Sequence, residues 1–224
     1  MLKRNLHLLL VLTFQTAFTQ ANAQNSHKWE FGIQAEHGRD WYHRDYYEWN
    51  DLPNGYIQNF PSYYSRGAGF NAERIIGKRF SALAQVSYLQ KKMPTDMFGE
   101  TSRTASQWIT KEMHHRGAVD LGLRWYVNPE SKLRFFADGK IGANMLVAAV
   151  QHLEGYGKVV IKDGFEYNRI SPVASGSIGL KWNRLALSTE YRHDLAAVKR
   201  NRAATGIKAQ GLVGKVALTL FKAR

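Results

Sequence analysis

The sequence predicts an all-β chain folded as an eight-stranded antiparallel up-and-down transmembrane β-barrel. Three observations carry that prediction. Period-two alternation of apolar and polar residues recurs along most of the 224 residues, and helical periodicity is scarce. The connections between alternating segments are short and long in strict turn. A basic, then apolar, then small-residue segment opens the chain.

That opening segment is read first. Lys3 and Arg4 precede the apolar run LHLLLVLTF, and Ala21-Asn22-Ala23 follows as an A-x-A cleavage site. The run is too short for a stable bilayer anchor. Residues 1–23 are therefore assigned to a cleaved signal peptide and 24–224 to the barrel. No later run reaches the roughly 18 apolar residues that a transmembrane helix needs.

The strands follow in order. WEFGIQAEH sets Trp29, Phe31, Ile33 and Ala35 against Glu30, Gln34 and Glu36. Residues 64–76 form the second and least regular strand. FSALAQVSYLQ sets Ala82, Ala84, Val86 and Tyr88 against Ser81, Gln85 and Ser87. LGLRWYV and LRFFADGKIG are the fourth and fifth, a hairpin joined by NPESK. Its apolar side is Leu121, Leu123, Trp125, Phe135 and Ile141. SPVASGSIGLKW, LALSTEYRH and GLVGKVALTLF complete the set, each with the same alternation.

The connections are about residues 38–63, 77–79, 91–111, 128–132, 149–169, 183–184 and 193–208. In a meander, alternate connections lie at one end. Every long loop thus lies at one end and every tight turn at the other, the asymmetry of barrels with short periplasmic turns and long external loops. Several strands reach the 9–11 residues that a tilted strand needs to cross a bilayer. Trp29, Tyr88, Trp125, Trp182, Tyr191 and Phe221 sit near strand ends, where aromatic girdles form.

The polar face then becomes the inside. It carries Glu30, Glu36, Asp120, Asp138 and Glu190, with Arg124, Arg134, Lys140, Lys181, Arg192 and Lys215. Five acids and six bases nearly balance. An eight-stranded lumen is just wide enough for side chains to fill, and charges buried there must pair. Outward-facing Gly117, Gly139, Ala143, Gly176 and Gly214 suit a curved wall better than a core.

Composition narrows the partners. Cysteine is absent, which excludes disulfide frameworks and cysteine-based zinc sites. The formal net charge is +13, and loss of Lys3 and Arg4 with the leader leaves +11. An exported chain rarely meets nucleic acid, so the expected partners of this charge are outer-membrane lipid and the phosphates of lipopolysaccharide.

GLVGKVALTLF as a closing strand, behind a signal and eight alternating segments, resembles the small outer-membrane β-barrel domain proteins of the OmpA and OmpX type. LGLRWYVNPESKLRFFADGKIGANM is most similar in style to the PorT-like barrels of the Bacteroidota. The resemblance implies an outer-membrane barrel with both termini in the periplasm, handled by the barrel-insertion machinery, and transfers no catalytic residue. One departure concerns the end of the chain: Phe221 is followed by Lys222, Ala223 and Arg224, whereas many such barrels end on an aromatic.

Catalytic and metal motifs are lacking: there is no H-E-x-x-H, G-x-S-x-G or G-x-x-x-x-G-K-[ST]. Ser188, Glu190 and His193 are the best enzyme candidate, but His193 falls on the opposite parity from the other two. Glu112, His114 and His115 offer too few ligands on one face for a metal site. No cofactor is expected. The unusual segment RDWYHRDYYEWNDLPNGYIQNFPSYY interleaves rings with hydrogen-bonding side chains, with Trp41, Tyr46, Tyr47 and Trp49 as candidate contacts for an envelope protein or glycan. Lys199, Arg200 and Arg202 in the last loop are candidate phosphate contacts. The expected function is a non-enzymatic, structural or interaction role through the external loops. A narrow pore, a lipid A-modifying enzyme and a soluble exported ligand-binding barrel remain open alternatives.

Overall fold

The computed structural model describes residues 29–45, 57–59, 62–93, 109–155, 157–161, 167–197, 199–200 and 206–223. In chain order the strands are β1 (Trp29–Asp45), β2 (Ile57–Asn59), β3 (Tyr63–Ile75), β4 (Phe80–Met93), β5 (Ile109–Tyr126) and β6 (Leu133–Leu153). They continue as β7 (Gly157–Ile161), β8 (Ile170–Trp182), β9 (Leu185–Asp194), β10 (Lys199–Arg200) and β11 (Gly206–Ala223). Eight of them form an antiparallel ring in the order β1-β3-β4-β5-β6-β8-β9-β11. The ring closes where β11 pairs with β1, from Trp29 opposite Ala223 to Asp45 opposite Gly206. Closure leaves no long strand with an unpaired edge.

The three remaining strands are short extensions at the long-loop end. β2 pairs the end of β1, β7 the end of β6, and β10 the start of β11. At the other end the connections are tight. Asn183 takes φ 53 in the two-residue turn between β8 and β9, a left-handed conformation that Asn tolerates. In the NPESK turn, Asn128 Oδ1 accepts from the Phe135 N–H at 2.7 Å and its Nδ2 donates to the Leu133 carbonyl at 2.8 Å. That side chain stands in for the backbone ladder where the strands part.

Polarity is inverted relative to a water-soluble barrel. Phe70, Ile141 and Ile178 are about as exposed as side chains become, at 69–70 %, while Lys181 and Glu190 are 2 % and 1 % exposed. On β4 the apolar outer face runs from Phe80 to Tyr88, and on β6 from Phe135 to Val147. With about 3.3 Å of rise per residue and a tilt near 40°, these bands stand roughly 20 and 30 Å tall, which brackets the band of about 25 Å typical of such barrels. Exposed Trp125, Phe80, Phe135, Trp182 and Phe221 rim the short-turn end; exposed Tyr88 and Tyr191 mark the other.

Strand length corrects the sequence reading. β1 runs on to Asp45 rather than ending near residue 37. β6 continues to Leu153, β5 starts at Ile109 and β11 at Gly206. The ladder outlasts the alternation because, beyond the apolar band, each face mixes polar and apolar residues: Arg39 and Trp41 face outward on β1, Asp40 and Tyr42 inward. Arg39, Arg66 and Gln90 face outward there, so no contrast remains to mark a strand.

The interior is crowded enough to dictate glycine. A Cβ on Gly142 would collide with the Asp120 carboxylate and the Val119 carbonyl; one on Gly122 would collide with the Gly139 carbonyl and the Lys140 stem. Most inward glycines face a long or polar side chain, while Gly38 lies against the Leu212 and Val213 backbone. The outward Gly139 and Gly117 have open space where a Cβ would stand.

Candidate functional site

Three tiers of polar side chains fill the barrel. Nearest the tight turns, Glu73 of β3 accepts from Tyr126 (2.6 Å), Lys181 (2.8 Å) and Arg124 (3.1 Å). Arg124 also forks onto Asp138 at 2.8 and 2.9 Å, with Ser177 donating to the same carboxylate at 2.9 Å. Lys181 reaches Glu30 at 2.5 Å. The Arg124 guanidinium lies 3.8 Å over the Phe136 ring, which covers the face that no carboxylate reaches.

The middle tier centres on Glu36 and Glu190. Arg192 makes two bonds to Glu36, at 2.7 and 2.6 Å, and one to Glu190 at 2.6 Å. Lys215 stands 2.8 Å from Glu190 and 3.5 Å from Glu36. Lys140 bonds Glu190 and, at 3.3 Å, Gln85. Five strands contribute to these contacts. The space left beside Glu73, Gln85, Arg124, Lys140 and Lys181 amounts to about 30 Å³, room for a water or two.

The third tier lies toward the long loops. Lys91 pairs with Asp40 at 3.1 Å. Glu112 accepts from His114 Nε2 at 2.6 Å, from the Tyr167 hydroxyl at 2.5 Å and from Gln151 at 3.0 Å. Arg116 donates to His114 Nδ1 at 3.4 Å, a contact that suits a neutral imidazole protonated on Nε2. Tyr167, from the segment before β8, sets its ring edge-on to His114 at 4.6 Å between centroids. Glu112 and His114 are fully buried.

The sequence-selected charges fall as follows. Glu30, Glu36, Arg124, Asp138, Lys140, Lys181, Glu190, Arg192 and Lys215 are buried in the lumen. Asp120 and Arg134 share its parity but are half-buried, Arg134 lying 4.8 Å over the Tyr126 ring at the turn end. Trp41, expected in a loop, lies on β1 facing outward. The backbone of Lys199 and Arg200 forms β10. Tyr46, Tyr47, Trp49 and Arg202 lie outside the described residues.

The sequence reading missed Glu73, Asp40, Lys91, Glu112, Arg116 and Asp194 as lumen charges, all of them buried. Glu73 was hidden in the irregular second strand, whose inward residues Ser65, Gly67, Gly69 and Asn71 are mostly small. Asp40, Lys91 and Asp194 sit where strands were taken for loops, and Glu112 and Arg116 at the external end of the fourth strand, beyond the hairpin. The enzyme candidate does not assemble: Glu190 points into the lumen, and His193 lies on the outer parity of the same strand. His115 also faces outward and bonds Tyr88, apart from Glu112 and His114. Among the described residues no three carboxylate or imidazole side chains converge as a metal site would require.

Neither a protein-family model nor a curated protein matches the chain. Among solved structures it is similar to Neisserial surface protein A (TM-score 0.45, 12 % identity, 85 % of this chain and 97 % of that one). It is similar also to Ail, the attachment invasion locus protein of Yersinia pestis (TM-score 0.38, 10 % identity, 87 % and 100 %). A third is the outer membrane protein OprG from Pseudomonas aeruginosa (TM-score 0.41, 6 % identity, 87 % and 96 %).

Proposed function

We propose that the chain is exported, loses residues 1–23, and serves as a non-enzymatic outer-membrane β-barrel whose contacts are made at its external end. The carrying observation is the lumen: three tiers of paired charges, with about 30 Å³ left between the lower two, behind an outer wall that is apolar. A conducting pore needs a continuous aqueous path, and a ligand-binding barrel needs a hollow one; a lumen filled by side chains offers neither. With the described lumen filled by side chains, recognition falls to the rim and the external loops, where the ring-rich segment after Trp41 suits an envelope protein or glycan. Delivery to the membrane would pass through the barrel-insertion machinery. The strand–turn–aromatic-strand style of residues 121–145 supports a place among PorT-like barrels of the Bacteroidota.

Two measurements test this reading together. The folded protein in detergent should migrate differently on a gel before and after boiling and fractionate with outer membranes. Reconstituted in a planar bilayer it should give no steady unitary current. A detergent-independent soluble monomer, or a regular conductance, would overturn the reading.

A further inference from the structure

The charges of this barrel are sorted by side. From Glu30 to Asp40 and from Glu73 to Asp194 the described strand carboxylates turn toward the lumen, where acids and bases nearly cancel. Among the described residues the basic excess therefore lies outside the lumen. On the outer wall of the ring part of it, with Arg74 and Lys222, stands at the turn end, and part, with Arg39 and Arg66, at the external end of the apolar band. Register places His37 of β1 opposite Arg66 of β3, Arg66 opposite Gln90 of β4, and Gln90 opposite His115 of β5. This polar row crosses four adjacent strands, roughly 15 Å at the usual strand spacing. Arg39 stands two residues farther out on β1. Immediately inside the row are Ala35, Ala68, Tyr88 and Gly117, which belong to the apolar wall.

The two arginines engage only neutral partners among the described residues. Arg39 donates to Ser62 Oγ at 3.2 Å, and Arg66 donates to Gln90 Oε1 at 2.7 Å. Tyr88 bonds His115 and holds that imidazole at the same level. The opposite flank differs: Met145, Val147, Ile170 and Leu195 are exposed and apolar near this level. The face that carries Arg39 and Arg66 differs from that apolar stretch, and it lies where lipid headgroups meet the wall.

We propose that Arg39 and Arg66, with His37, Gln90 and His115, form a binding face for the phosphates of an outer-leaflet glycolipid, whose acyl chains lie against the wall below. This rests on the reading of the chain as an outer-membrane barrel and names a lipid partner for it. Guanidinium groups left with neutral partners can fork onto phosphate. The band beneath supplies acyl contact that a free anion would not use. The fit is to a phosphorylated, acylated molecule rather than to a soluble anion.

The test uses the full-length folded protein in zwitterionic micelles, titrated with diphosphorylated lipid A, with dephosphorylated lipid A and with inorganic phosphate. The wild type should prefer the diphosphorylated form by about tenfold or more, which two arginines near an anionic surface supply. That preference should shrink as salt is raised. Arg39→Gln combined with Arg66→Gln should bring it within about twofold while leaving heat-shifted gel migration unchanged. Equal binding of both lipid forms by the wild type overturns the proposal, as does a double variant that keeps the preference. Inorganic phosphate competing as well as the lipid overturns it too. If the double variant misfolds, the wild-type comparison still decides. Correct membrane fractionation with no phosphate preference would remove this inference and leave the barrel assignment standing.

Discussion

Glu190→Gln is the most incisive single change in the lumen. Glu190 is 1 % exposed and faces Lys140, Arg192 and Lys215. Arg192 would keep its two bonds to Glu36, and Lys215 its longer approach to the same carboxylate. Lys140 would keep only Gln85 at 3.3 Å, a buried ammonium with no carboxylate. Breaking one partner out of a buried pair costs about 3–5 kcal/mol. The new amide can still accept a hydrogen bond, which offsets about 1 kcal/mol. The expected loss is about 2–4 kcal/mol. With a urea slope of about 2 kcal/mol per molar, the unfolding midpoint should fall by about 1–2 M. Tryptophan fluorescence in detergent micelles reads the transition, and the chain has six tryptophans to report it. Adding Lys140→Met should restore half or more of the loss, because the orphaned cation is then gone. A midpoint unmoved by Glu190→Gln, or no recovery in the double variant, would refute the pairing argument.

Other changes probe the wall and the third tier. Leu123→Arg puts a cation on the exposed apolar face and should cost about 2–4 kcal/mol, seen as a smaller folded fraction on an unboiled gel. Gly142→Ala collides with the Asp120 carboxylate and the Val119 carbonyl and should lower the urea midpoint; Gly139→Ala meets open space and should leave it unchanged. Tyr167→Phe removes one of the three donors to Glu112. It should loosen the adjoining segment, so that hydrogen exchange at the Leu146 N–H, bonded to the Arg169 carbonyl at 2.7 Å, quickens about tenfold.

Where lipid lies on one side of the wall and side chains on the other, the sequence is easy to read. Leu121, Leu123 and Trp125 against Arg124 announce both the strand and its faces, because the two solvents differ so sharply. Legibility fails at the external end. Beyond Tyr88 the outside is polar as well, so Gln90 and Lys91 look alike although one is outside and the other buried against Asp40. It fails again in β3, where Gly67, Gly69 and Asn71 make room for opposing side chains and carry little hydropathy of their own. Glu73 sits at the end of that stretch and anchors the lowest tier. Its role depends on Arg124 and Lys181, which are 51 and 108 residues away in the chain. Local pattern has no access to such distances; only the strand register brings them together.

The central claim is that the apolar parity faces lipid and the charged parity is sealed inside. Absence of native cysteine allows a direct measurement. Single cysteines at Val119, Leu121 and Ile178 on one parity, and at Asp120 and Ser177 on the other, can carry nitroxide labels in bilayer-reconstituted protein. Power saturation should show the first three relaxed by oxygen, which concentrates in lipid, and shielded from a water-soluble nickel complex. Labels at 120 and 177 should be reached poorly by both. Nickel access at Val119, Leu121 and Ile178 in the bilayer would contradict the account.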